Sequence, residues 1–279
     1  MSCAPRKALP PRLWPALLLL LAALAGPAWA GQPERYRFDC QGCTLEAAER
    51  AALVQAGDFL LAFYRPYLAI RPDFCFRFRL FGAFTDYQHF RALYAPTLEV
   101  AEGFYSGRLR TIALYLGRQF PAVAFHEMNH AVLGGHLGDV PPWLGEGLSE
   151  FFEGLTLGER VRVRPQLQKR RRLVAWLGEG RDLDLPGLLA ISRAEWPARN
   201  VAAGRAHSTL AWGIAWHLMR EASGRRLLGG LLRELAAGGD PGARLAQEYP
   251  GGLEGLARDL GRTFAPSPAA PGTEEEGPR

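Results

Sequence analysis

The sequence predicts an α+β fold, with a small N-terminal α/β part (residues 31–118) carrying a strand and hairpin sheet, packed on a mostly α-helical half (residues 119–264). Three observations predict it. Period-two alternation of apolar and polar residues is confined to the first part. Helical periodicity dominates after residue 119. Gly- and Pro-marked breaks separate the helical stretches.

Taken in order, residues 35–39 read as a short strand, and residues 45–69 space their apolar positions as a long helix does. The run Phe74-Cys75-Phe76-Arg77-Phe78-Arg79-Leu80-Phe81 alternates at period two, the pattern of a half-buried strand. Residues 85–95 read as a helix with Thr85 near its N-cap. Residues 102–117 hold two β-rich runs around Ser106-Gly107, which suits a hairpin. A helix over 120–134 follows, then a glycine-rich break, then a helix over 142–154 with Pro141 and Pro142 at its start. Further helices are expected near 165–178, 205–222, 224–237 and 251–262, and no internal repeat is present.

The two ends read differently. Residues 1–30 begin with Arg6, Lys7 and Arg12, continue through an apolar run and finish on Pro-Ala-Trp-Ala, with small residues at Ala28 and Ala30. This is the layout of a secretory signal peptide, and it predicts a periplasmic or secreted protein. No later segment is long and apolar enough to span a bilayer, so no stable membrane insertion is expected. Residues 265–279 are rich in Pro, Gly and Glu and are expected to be disordered.

The formal charge of +5 includes the three basic residues of the leader, so the remainder carries +2 (5 − 3). A near-neutral chain argues against nucleic-acid binding. The run Gln168-Lys169-Arg170-Arg171-Arg172 reads as a solvated helix face. Export favours a disulfide, and Cys75 joined to Cys40 or Cys43 would staple the first strand region to the second.

The chemistry concentrates in residues 126–150. His126 and His130 stand four apart, on one face of the expected helix, with Glu127 at its edge. Two imidazoles so placed can grip one Zn²⁺, and the carboxylate beside them can take a proton from water activated by the ion. A catalytic zinc needs a third protein ligand. Two candidates follow, His136 and Glu146. His136 has the spacing of a metzincin ligand, but Leu133 stands where that pattern has glycine, and the only downstream methionine is Met219, inside an apparent helix. Glu146 lies on the second helix amid Trp143, Leu144, Leu148, Phe151 and Phe152, with Glu150 one turn on. One of those carboxylates could bind the ion while the other hydrogen-bonds a ligand imidazole.

At these residues the chain resembles a known family. His-Glu-Met-Asn-His followed by Trp-Leu-Gly-Glu-Gly-Leu-Ser-Glu-Phe-Phe-Glu is similar to the gluzincin zinc peptidases, closest to their peptidase-MA-like bacterial domains. Glu102–Ser106 and Ala211–Met219 are similar to that family as well, so the resemblance covers roughly residues 75–220. It implies a zincin-like domain over 31–264, Zn²⁺ held by His126, His130 and Glu146, Glu127 as general base, and a peptide or protein substrate. It also implies an oxyanion stabiliser from a later helix, for which His207 is the candidate, and a strand near 108–116 that pairs with extended substrate. His217 reads as core and His89 as surface. The expectation is an exported zinc metallopeptidase. The alternatives are a metzincin-type hydrolase using His136 and an inactive, zinc-stabilised or peptide-binding envelope protein.

Overall fold

A computed structural model describes residues 35–98 and 101–265. The expected signal peptide and all but Ala265 of the expected tail lie outside the described residues. The α+β class holds: a small sheet is covered by helices on both faces, and a helical half follows it.

Strand β1 (Tyr36–Gln41) leads into helix α1 (Ala47–Tyr64), which returns the chain to β2 (Phe76–Phe81). Helix α2 (Phe84–Tyr94) then carries it to the hairpin β3 (Gly103–Ser106) and β4 (Thr111–Tyr115). The sheet order is β1-β2-β4-β3. The two helical crossovers make β1, β2 and β4 parallel, as connections of that length do, and the short turn makes β3 antiparallel to β4. The alternation in β2 sorts its side chains as expected. Phe76, Phe78 and Leu80 enter the main core with Ile112 and Leu114 of β4. Phe81, Phe104 and Ala113 instead pack with Tyr87 of α2 on the opposite face.

Two local expectations are corrected. Helix α2 starts at Phe84, and its N-cap Ala83 offers no side-chain oxygen, so Thr85 lies inside the first turn rather than capping it. The cysteines do not form the expected disulfide. The parallel register pairs Cys40 with Leu80, five residues along β2 from Cys75. At about 3.3 Å per residue this separates the two by far more than a disulfide's Cα span of roughly 4.4–6.8 Å.

The helical half begins with α3 (Phe120–Leu137) and α4 (Pro142–Phe152), with Pro142 in the first turn of α4 as expected. A short hairpin, β5 (Leu155–Thr156) and β6 (Arg162–Val163), precedes α5 (Leu167–Gly178). Then come α6 (Leu185–Leu189), α7 (Trp196–Ala202), α8 (Ala206–Arg220), α9 (Ala222–Ala236), α10 (Pro241–Glu248) and α11 (Gly252–Thr263). Among the described residues no helix is long and apolar enough to cross a membrane.

Two packing features position the site. Helix α3 runs unbroken through Gly134-Gly135, where a glycine-rich break was expected. These glycines serve close packing: a Cβ at Gly134 would stand 3.1 Å from the Tyr105 ring, and one at Gly135 would stand 2.9 Å from Phe74. The helix ends instead at Gly138, whose φ of 73° is left-handed and turns the chain back. Helix α4 then seats on α8 so closely that a Cβ at Gly147 would lie 2.6 Å from the Ala211 carbonyl oxygen.

Candidate metal centre

Helix α3 is held to its neighbours by a buried polar chain. Asn129, 0% exposed, accepts from the Tyr64 hydroxyl of α1 at 2.5 Å and donates its amide to Ser149 of α4 at 2.9 Å. The chain ties α4 to α3 beside the turn that carries His126 and His130.

His126 Nε2 and His130 Nε2 lie 3.1 Å apart. Glu146 Oε2 is 3.6 Å from His126 Nε2, and Glu146 Oε1 is 3.5 Å from His130 Nε2. Donor atoms sharing a tetrahedral Zn²⁺ at about 2.0–2.2 Å lie about 3.3–3.6 Å from one another. The two imidazoles and the carboxylate are thus close enough to share one metal ion, and they form one of two such groups among the described residues, the other being His126, Glu150 and Glu153.

The electrostatics point the same way. Glu127, Glu146, Glu150 and Glu153 all line this part of the cleft, and Glu150 pairs with Lys169. Burial alone would lower the pKa of His126, yet its hydrogen bonding to the Glu146 and Glu153 carboxylates, with the charges of Glu127 and Glu146, raises it well above its usual value. Burial would raise Glu146, but the two histidines hold it far below the usual carboxylate range. Glu127, 8% exposed, is pushed upward by burial and by Glu146, against the pull of the two imidazoles and of the Tyr105 backbone amide facing it. A carboxylate raised in this way is a stronger proton acceptor than a free one.

His136 is not brought to this group. Because α3 stays helical, it carries His136 off the ligand face. Its Nδ1 meets the Val132 carbonyl at 2.7 Å, and its Nε2 accepts from the Arg71 backbone N–H at 3.2 Å. His207 is also elsewhere. It packs on Trp196 with ring centroids 6.0 Å apart and does not line the cleft. His89 is exposed, as expected. His217 is partly buried and links α8 to the C-terminal helices through Tyr249 and Thr263, at 2.7 and 2.8 Å.

The cleft over the site has a volume of about 1070 Å³. One wall is β3, and its opposite wall comes from α5, α7 and the start of α8. The strand expected to face substrate, near 108–116, is internal, since β4 pairs with β2 on one side and β3 on the other. The edge strands are β1 and β3, and of these β3 borders the cleft. The Tyr115 N–H donates to the Glu102 carbonyl, so by antiparallel alternation Glu102, Phe104 and Ser106 bond inward, while Gly103 and Tyr105 turn their N–H and C=O outward.

Sequence reasoning missed three contributors. Glu153 lies seven residues after Glu146, on the same helical face, and its Oε2 is 3.4 Å from His126 Nδ1. Lys169 pairs with Glu150, and the Gln166 amide donates to the Glu150 carbonyl and to Oε2, the latter at 3.3 Å. Of the basic run expected to be a solvated face, Arg171 and Arg172 are exposed, while Lys169 and Arg172 also line the cleft. Within it Arg172 also bridges to the Gly204 carbonyl and the Thr209 hydroxyl. The i, i+4, i+7 spacing of Glu146, Glu150 and Glu153 was legible in the sequence. The pairing of Lys169 was not.

Comparison with protein-family models, with curated proteins and with solved structures finds no match for this chain.

Proposed function

We propose that the chain is a zinc-dependent metallopeptidase of gluzincin type. The observation that carries the reading is the mutual spacing of His126, His130 and Glu146, 3.1–3.6 Å between donor atoms, with the buried Glu127 carboxylate beside them. Zn²⁺ held there would supply Lewis acidity and bring the ionisation of water near neutral pH.

The chain's own residues supply the remaining roles. Glu127 takes the proton of the attacking water and returns it to the leaving amine, a cycle suited to its raised affinity for protons. The outward N–H and C=O of Gly103 and the outward C=O of Tyr105 pair with an extended peptide and lay its backbone along the imidazole pair. Recognition of this kind reads backbone more than side chains and suits a peptide or unfolded protein segment. The Tyr105 amide faces Glu127, so the same strand that aligns the peptide also fixes the base. Intact Glu127 weighs against a purely structural zinc protein, which has no use for a general base.

Elemental analysis of wild type, Glu146→Ala and His136→Ala tests the site. One zinc per chain, lost with Glu146→Ala and kept with His136→Ala, is expected. Glu127→Gln should keep the metal and lose turnover of any cleaved peptide. A wild-type chain that takes up no zinc on reconstitution would end the proposal.

A further inference from the structure

We propose that Glu153 is the positioning residue for the His126 imidazole, and that Lys169 withholds Glu150, the carboxylate one turn after Glu146, from that role. The inference rests on the zinc reading above and extends it to the residues behind the ligands.

An imidazole that gives Nε2 to a cation carries its proton on Nδ1, and that N–H needs an acceptor to fix the ring's tilt. Nε2 of His126 faces His130 and Glu146, whereas Nδ1 faces Glu153 Oε2 at 3.4 Å. Glu153 is the C-cap residue of α4 and continues the face that begins at Glu146. A single helical face therefore presents one carboxylate to each nitrogen of the same ring.

Glu150 lies between them and is engaged elsewhere. Its carboxylate meets the Lys169 ammonium, and Gln166 donates to its Oε2 and its backbone carbonyl. The side chains of Glu150 and Lys169 are 11% and 17% exposed, so this is an internal pair and not a surface one. Lys169 is also the only lysine in residues 31–279 of a chain otherwise furnished with arginine. A compact ammonium can sit against one carboxylate in a narrow space, where a guanidinium fork would reach past it. Glu150 and Glu153 are three residues apart on one helix and would repel each other without that cation. Lys169 thus offsets one charge of the pair and leaves the other carboxylate for His126.

The test measures Zn²⁺ affinity of the full chain by competition with a chromophoric chelator, for wild type, Glu153→Ala, Glu153→Gln and Glu150→Gln. Far-ultraviolet circular dichroism verifies that each variant is folded. Glu153→Ala should weaken Zn²⁺ binding by about 10–100-fold, and Glu153→Gln, which keeps an acceptor, by a smaller factor. Glu150→Gln should leave affinity close to wild type. The visible bands of the Co²⁺-substituted protein should shift in both Glu153 variants and stay in place in Glu150→Gln, a change that loss of packing alone would not produce. Unchanged affinity and unchanged Co²⁺ bands in folded Glu153→Gln and Glu153→Ala overturn the inference while the zinc reading stands. So does an equal or larger loss in Glu150→Gln. A wild type that binds neither ion overturns both.

Discussion

Replacing Asn129 by leucine should destabilise the protein strongly while leaving the metal ligands in place. The side chains of Tyr64, Asn129 and Ser149 are each 0% exposed and make one chain, Tyr64 O–H to Asn129 Oδ1 and Asn129 N–H to Ser149 Oγ. Leucine has the same branching and number of heavy atoms with bulkier methyl ends, so no cavity opens. The Tyr64 hydroxyl loses its acceptor and is left unsatisfied inside the core, at a cost of about 1–3 kcal/mol. The Ser149 bond adds about 0.5–1.5 kcal/mol, since that hydroxyl can turn to a carbonyl of its own helix. The sum is about 2–4 kcal/mol, and in a domain of this size each kcal/mol moves Tm by about 2–4 °C. Thermal unfolding at fixed, saturating Zn²⁺ should therefore show a fall of about 4–16 °C. The double variant Tyr64→Phe/Asn129→Leu removes the orphaned hydroxyl and should recover about 1 kcal/mol or more relative to additivity. Zinc stoichiometry well below Tm should stay at the wild-type value, because the side-chain bonds of Asn129 go to Tyr64 and Ser149 and to none of the ligands. A fully stable Asn129→Leu, or a strictly additive double variant, would refute the argument.

Gly147→Ala should destabilise the α4–α8 contact, because the new methyl, fixed to the backbone, would meet the Ala211 backbone carbonyl oxygen at 2.6 Å. Chemical denaturation should show a loss of about 1–3 kcal/mol, and wild-type stability would mean that the helices separate freely. His217 carries a pKa lowered by burial, so below about pH 6.5 the unfolded chain takes up the proton first. Its contribution to stability is therefore present above that pH and lost as pH falls through the folded-state value. Tm measured from pH 7.5 to 5 should drop less steeply in His217→Gln than in wild type, and equal slopes would exclude this role. His207→Ala should leave kcat for a cleaved peptide near wild type, since the ring packs on Trp196 and does not itself line the cleft. A loss approaching 100-fold in kcat would restore the oxyanion role read from the sequence.

Much of the fold was legible because its signals are local. Alternation in residues 76–81, the Pro-Pro start of α4 and the apolar periodicity of α1, α3 and α8 each depend on neighbours within a few residues. The short helices α6, α7 and α10 span five, seven and eight residues, too few turns to display a period, and they were missed. Asn200 and Trp196 of α7 reach the cleft, so part of the wall was missed with them.

By itself, the sequence determined which side chains could bind a metal. His126, Glu127 and His130 share one turn of helix, and Glu146, Glu150 and Glu153 share one face of the next, through helical geometry alone. Only the tertiary structure chose among them. The uninterrupted α3 removed His136, and the reversal at Gly138 laid Glu146 across both imidazoles. The strand order placed β3 at an edge of the sheet, and the register kept Cys75 from Cys40. The packing of α5 brought Lys169 to Glu150 from nineteen positions away. Contacts of that kind depend on how elements dock, and no local pattern of residues encodes the docking.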